Sequence, residues 1–313
     1  MWTIIPAILM GWSLGANDAA NVFGLGVGVR AVRYGVAVTL TAAFALLGAY
    51  LGGARGMATY SSVATQSMAS SFCVALAAGL TVAVMTWRGL PVSTTQAAVG
   101  AIIGVALVSG RTVEWGVLGR IVVSWVASPL GAMVLAYLLH RFLSPWLEER
   151  LGGLVLYDRI IRLGIVLIGI WGSYALGANN VANVTGVYVG AGILSVQLAT
   201  LIGGGSIALG VLTFARPVME TVGERLVPLG PLPALLAVGA QAAALQVFSI
   251  VGVPVSASQA VVGAVVGIGL VKGVETVNRR QLVNIMVGWA LTPTIAGGVG
   301  AMLWLVLGNI LPG

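Results

Sequence analysis

The chain has 313 residues, of which 59% are hydrophobic and only 7% charged, with a formal net charge of +7. Ordinary globular domains carry roughly 25% charged residues, so there are too few charges here to coat a water-facing surface. A cytosolic enzyme, a secreted disulfide-stapled domain and a disordered tail are excluded, and the 45 glycines beside a single cysteine, Cys73, fit closely packed membrane helices.

A helix needs about 20 mostly apolar residues to cross a bilayer. In chain order, ten runs qualify: 2–28, 34–54, 61–87, 90–109, 119–140, 163–188, 193–215, 232–251, 254–271 and 282–309. The fifth and sixth are separated by a charge-rich stretch, 141–162, which holds Arg141, Glu148, Glu149, Arg150, Asp158, Arg159 and Arg162. It reads as an amphipathic connector at the membrane surface. The expected organisation is a first half over 1–140, the connector over 141–162 and a second half over 163–313.

The halves repeat one pattern. GANDAANVFG at 15–24 matches GANNVANVTG at 177–186 in seven of ten positions, and PVSTTQAAVGAIIG at 91–104 matches PVSASQAVVGAVVG at 254–267 in nine of fourteen. Trp125 and Pro129 pair more weakly with Trp289 and Pro293, and the three offsets are 162, 163 and 164. If all five runs of a half cross, the number of crossings is odd. If the third and fourth instead form a re-entrant hairpin meeting at PVSTTQ, it is still odd. Either way the second half is inserted upside down, which is the inverted repeat of secondary transporters. The fold class expected is an all-α polytopic membrane protein, an inverted-repeat transporter with about 10–12 transmembrane or re-entrant helices. Eleven Lys and Arg residues then fall on the connector side and three, Arg55, Arg111 and Arg120, on the other. This bias makes the connector cytoplasmic and places both termini outside a cell (inner) membrane. The side of Arg88 depends on whether the hairpin forms.

Among the acids, Asp18 alone lies well inside an apolar run. Glu114, Glu148, Glu149, Asp158, Glu220, Glu224 and Glu275 lie in connections or at run edges. An intramembrane carboxylate is costly and marks an ion or proton path. Asn17 and Asn21 flank it on one helix face, and the second half repeats them as Asn179 and Asn183, with Asn180 at the Asp18 position. A helix loosened near Gly15 and Gly177 would add freed carbonyls to the asparagine oxygens, making a cage for Na⁺ or another hard cation. In PVSTTQ and PVSASQ the proline ends the preceding helix. Ser93 with Gln96, and Ser256 with Gln259, have capping-box spacing. Two helix starts would therefore face the site with backbone N–H groups and positive dipole, an anion-binding arrangement. Thr94, Thr95 and Ser258 add hydroxyls. A divalent oxyanion beside ionised Asp18 sums to a formal −3, which cannot be buried alone; two monovalent cations reduce it to −1 and a third neutralises it. Charge balance thus favours cation-coupled anion symport. The expected substrate-binding set is Ser93, Thr94, Thr95, Gln96, Ser256, Ser258, Gln259, Asn21 and Asn183. The expected cation set is Asp18, Asn17, Asn21, Asn179, Asn180 and Asn183. No Ser–His–Asp set or His/Cys/acid cluster is present, so no enzyme, catalytic residue, organic cofactor or nucleic-acid partner is expected.

These motifs resemble those of the inorganic phosphate transporter (PiT) family. The resemblance rests on GANDAANVFG and PVSTTQAAVG in the first half and GANNVANVTG and PVSASQAVVG in the second, and it covers essentially the whole chain. It implies a sodium- or proton-coupled phosphate symporter with outward-facing termini, binding phosphate and cations where the four motifs converge. The partners it implies are inorganic phosphate, Na⁺ (two or more, co-transported) or H⁺, and the lipid bilayer, with assembly into a homo-oligomer compatible with the pattern. Two departures stand out. Asn180 replaces the acid that many members carry in the second motif, which alters cation number or affinity. Gln96 and Gln259 replace the histidine of STTH loops, which favours sodium over proton coupling. The alternatives are proton-coupled phosphate symport, transport of sulfate or another tetrahedral oxyanion, and, less favoured, a passive anion channel.

Overall fold

The computed structural model describes residues 2–150, 153–225, 229–272, 279–308 and 310–311. Every regular element among them is helical: α1 Ile5–Gly28, α2 Tyr34–Gly52, α3 Ala54–Ser61, α4 Met68–Trp87, α5 Thr94–Ser109, α6 Trp115–Leu138, α7 Ser144–Arg150, α8 Leu154–Gly190, α9 Val196–Phe214, α10 Arg216–Arg225, α11 Pro231–Val251, α12 Ala257–Lys272 and α13 Arg279–Leu307. A 3₁₀ turn, Trp2–Ile4, precedes α1, and a π-helical stretch, Leu139–Leu143, joins α6 to α7. Each of the ten apolar runs corresponds to a helix. The short α3 and α10 were not expected. Residues 154–162 of the expected connector form the start of α8, where Arg162 pairs with Asp158 at 2.7 Å and donates to the Arg30 carbonyl at 2.8 Å. Glu275 lies outside the described residues.

Seven of these helices are long and apolar enough to cross a membrane. Helix α1 is not among them because Asn17, Asp18 and Asn21 interrupt its apolar run, and protein surrounds it: every residue from Ser13 to Gly26 is buried. Its repeat partner α8 is buried throughout Ala175–Tyr188. The two run antiparallel. Gly26 lies beside Ile165, Gly11 beside Val184, and the Tyr188 hydroxyl donates to the Thr3 carbonyl at 2.9 Å. The repeat is therefore inverted.

Gly15 and Gly177 do not loosen their helices; α1 and α8 are continuous through them. They serve close approach instead. A side chain at Gly15 would run into the Ile207 carbonyl of α9, and one at Gly177 into the Ala45 carbonyl of α2. Gly210 and Gly48 return the same contacts against the Trp12 and Tyr174 carbonyls. The first helix of each half thus packs on the second helix of the other, backbone against backbone. The Trp/Pro match has a similar basis: Gly100 of α5 abuts the Pro293 carbonyl of α13, and Gly263 of α12 abuts the Pro129 carbonyl of α6.

The breaks fall elsewhere. Helices α2 and α3 follow α8 as one crossing, with Gly48 beside Tyr174, Gly52 beside Ala178 and Gly56 beside Ala182. The chain breaks only around Gly53. Helices α9 and α10 follow α1 in the same way, broken at Ala215. Helices α4 and α5 form a re-entrant hairpin. Their outer ends meet through an antiparallel bridge between Ala64 and Val113 and the bond from Glu114 N–H to the Val63 carbonyl, 2.9 Å. Their tip, 88–93, reaches Asn17, halfway along α1. The tip between α11 and α12 reaches Asn179 of α8 from the opposite direction. Each half then makes three crossings and one hairpin. Arg88 is exposed at the first tip.

Replacing Gly177 by Leu forces the α2–α8 crossing apart and is expected to cost at least about 1–3 kcal/mol. Gly131→Ala, at a position open to its surroundings, should be neutral or slightly stabilising. Melting followed by size-exclusion recovery in detergent checks both.

Candidate functional site

The two hairpin tips begin helices inside the protein. Pro91 and Pro254 hold the chain extended before each start. Ser93 is the N-cap of α5, accepting the Gln96 N–H at 3.2 Å, and Ser256 accepts the Gln259 N–H at 3.2 Å. Only this half of each expected capping box forms. The Gln96 and Gln259 carbonyl oxygens do not join it; both are buried without a partner.

The asparagines organise the tips. The Val92 N–H donates to Asn17 Oδ1 at 3.2 Å and the Val255 N–H to Asn179 Oδ1 at 3.1 Å. The leading asparagine of each motif therefore clamps the loop of its own half. The trailing asparagine reaches across to the other half. Asn21 donates to Ser258 Oγ at 3.2 Å, and Asn183 to Thr95 Oγ1 at 3.1 Å. These two hydroxyls fasten the tips together: Thr95 donates to the Val255 carbonyl at 3.0 Å and Ser258 to the Val92 carbonyl. Four sequence motifs thus converge on one point, through bonds that obey the repeat.

Charge breaks the symmetry. Asp18 Oδ2 accepts from the Thr94 hydroxyl at 2.8 Å and Oδ1 from Asn21 at 3.3 Å. In the second half Asn180 Oδ1 accepts from Asn183 at 3.0 Å, and Ala257 occupies the position of Thr94, so Asn180 Nδ2 has no partner. One side of the site carries a carboxyl group bonded to a threonine hydroxyl; the other has an amide in its place.

All thirteen expected site residues are buried. Asn21 Oδ1 and Asn183 Oδ1 are buried acceptors without partners, like the two glutamine oxygens. Such atoms are costly to bury and mark places that a ligand satisfies. Unpartnered amide oxygens in motifs that also carry a carboxyl group suit a small hard cation, and two helix N-termini with hydroxyls suit an oxyanion. Among the described residues no group of three or more His, Cys, Asp or Glu gathers. Sequence reasoning missed Thr86, whose hydroxyl accepts from Asn17 Nδ2 at 2.9 Å, and the Leu90 carbonyl, which accepts from the same amide at 2.9 Å. It also missed the Tyr60 hydroxyl, which donates to the Thr95 carbonyl at 3.3 Å. The carbonyl contacts involve no particular side chain, and Thr86 reads in the sequence as one more helix residue.

The chain is similar to known proteins. The pattern of the phosphate transporter family matches the chain twice, over 14–158 and 154–300. A protein of Pyrococcus horikoshii named as a phosphate permease is 28% identical, over 98% of each chain. The sulfate permease CysP of Bacillus subtilis is 29% identical over 96% of this chain and 86% of its own. A solved structure described as the sodium-dependent phosphate transporter superposes with a TM-score of 0.87 at 26% identity, covering 99% of this chain and all of the other. Twice matched along its length by one pattern, the chain belongs to the phosphate transporter family, whose members are membrane transporters.

Proposed function

We propose that the protein imports inorganic phosphate by Na⁺-coupled symport, alternating access to one central site between the two sides of the inner membrane. The observation that carries this reading is the convergence of two inverted tips on Asp18, Asn21, Asn180 and Asn183, with buried acceptor oxygens left unpartnered. In this reading Ser93, Thr94, Thr95, Ser256 and Ser258 supply hydroxyls and helix N-termini to phosphate, and Gln96 and Gln259 line its far side. Asp18, Asn21, Asn180 and Asn183 hold the cations. Asn17 and Asn179 contribute through a second lone pair while clamping the loops. Two or more Na⁺ ions offset the charge of Asp18 and a divalent anion, since no Lys or Arg belongs to the set. The sodium-dependent neighbour supports that choice of cation. The basic connector faces the cytoplasm and both termini face outward. No step in this cycle makes or breaks a covalent bond.

Sulfate is the second reading, favoured by the similarity to a sulfate permease. The site distinguishes the two chemically. Hydrogen phosphate carries an O–H that the unpartnered Gln96 or Gln259 side-chain oxygen accepts. Sulfate carries none and leaves that acceptor unmet, and a polar site rejects the analogue that leaves its groups unpaired.

In proteoliposomes, labelled phosphate should accumulate under an inward Na⁺ gradient and not under K⁺ or H⁺ gradients alone. Phosphate uptake that is unchanged without Na⁺ would overturn the coupling, and preferential sulfate uptake would install the second reading. Asp18→Asn removes a buried charge-assisted contact, and uptake at subsaturating Na⁺ should fall at least about tenfold. Size exclusion should show the variant still folded; full retained uptake would remove Asp18 from the site.

A further inference from the structure

The two tips are related by the repeat but are not held alike. Asn17 grips the first tip with three bonds, accepting from Val92 and donating to Thr86 and to the Leu90 carbonyl. Asn179 grips the second with one, from Val255, and its Nδ2 is buried without a partner. Ser249 stands at the Thr86 position. It lines a polar cavity of about 260 Å³, bounded also by Gly52, Arg55, Tyr174 and Gln246. In the first half the equivalent space is filled. Trp12 and Phe214, the counterparts of Tyr174 and Gly52, stack with ring centroids 5.8 Å apart, and Trp12 donates to Thr213 at 2.8 Å. Free volume lies beside both tips, since a cavity of about 240 Å³ is lined by Leu90, Pro91 and Val92 of the first, but only at the second does the clamping asparagine leave its amide nitrogen unbonded.

What holds the second tip in place is α3. Arg55 Nη1 donates to the Ile250 carbonyl at 2.9 Å, and Thr59 Oγ1 to the Gly252 carbonyl at 2.6 Å. A cation on the last carbonyls of α11 complements the negative end of its dipole. Gly252 has φ +78°, and a side chain there would press on Arg55, so the tip and α3 meet closely. At the first tip Gly89 meets Pro217 and Thr221 equally closely, but the two hydrogen bonds are not repeated. Pro217 occupies the Arg55 position, and Thr221, the counterpart of Thr59, spends its hydroxyl on the Pro217 carbonyl of its own helix at 3.2 Å.

From the single asparagine bond, the fastening by α3 and the cavity beside Ser249 we infer that the second hairpin tip is a moving gate of the transporter. Arg55 and Thr59 are the positioning residues that hold it shut toward the outside, and the cavity around Ser249 is the space it swings into. This rests on the transport reading for the sidedness of the membrane; the motion itself is read without any substrate.

The test places a single reporter thiol in the protein and follows its reaction with a membrane-impermeant maleimide added outside intact cells. The parent, whose Cys73 is buried, supplies the blank. Ser249→Cys should react slowly. Adding Arg55→Gln and Thr59→Val removes two hydrogen bonds and should speed that reaction roughly ten- to hundredfold. Arg55→Lys with Thr59 intact should stay near the slow rate. Thr86→Cys, the equivalent position at the first tip, should remain unreactive in both backgrounds. Equal labelling of Ser249→Cys and Thr86→Cys, no acceleration on removing Arg55 and Thr59, or labelling of Ser249→Cys only in inverted vesicles would overturn the assignment. If the expected labelling is seen but neither phosphate nor sulfate is taken up, the gate stands and the transport reading falls.

Discussion

Two helices in this protein start in its interior, and two others stop beside them at the hairpin tips. The hydrocarbon core of a bilayer offers no partners for the backbone groups this exposes, so each must be met by protein or by something the protein carries. The architecture answers that demand. Ser93 and Ser256 cap the helix starts, Asn17 and Asn179 take the loop N–H groups, and Thr95 and Ser258 take the carbonyls of the opposing tip. After these bonds, several amide oxygens still lack partners. A site that is complete in its scaffold and incomplete in its lining is suited to a polar solute that comes and goes.

The inverted repeat supplies the geometry, and departures from it supply direction. A perfectly symmetric pair of halves would have no electrostatic preference for one approach over the other. Here Asp18 with Thr94 faces Asn180 with Ala257, so negative charge is concentrated on the side of the first motif. Gly52 and Tyr174 stand where the other half has Phe214 and Trp12, which leaves beside Ser249 a cavity whose counterpart those aromatics occupy. The halves thus differ both in charge and in how their tips are fastened.

Much of this was legible in the sequence. The ten apolar runs, the inversion and the convergence of four motifs follow from hydropathy, parity and matched spacing, because membrane helices must be long, apolar and paired by the repeat. Ser93 and Ser256 announced their caps through the proline before and the glutamine after. Other features left no such trace. Helices α3 and α10 are short, and α3 is too polar to register as apolar. The glycines of GAN looked like points of looseness, yet they are points of contact, since Gly15 and Gly177 admit carbonyls from helices some 130 to 190 residues distant in sequence. The glutamines fit a capping box by spacing alone, but their side chains are not drawn back to the caps. In each case the missing information was which distant backbone would arrive nearby.

That cross-half contact bears on how the molecule comes to exist. Helices α1 and α2 bury their glycine faces not on each other's backbones but on α9 and α8. When the ribosome has delivered only the first half, those faces have no mate, and the polar notch of α1 is uncovered. Assembly of the core therefore waits until residue 210 or beyond has left the ribosome, and the early helices must be sheltered by the insertion machinery in the meantime.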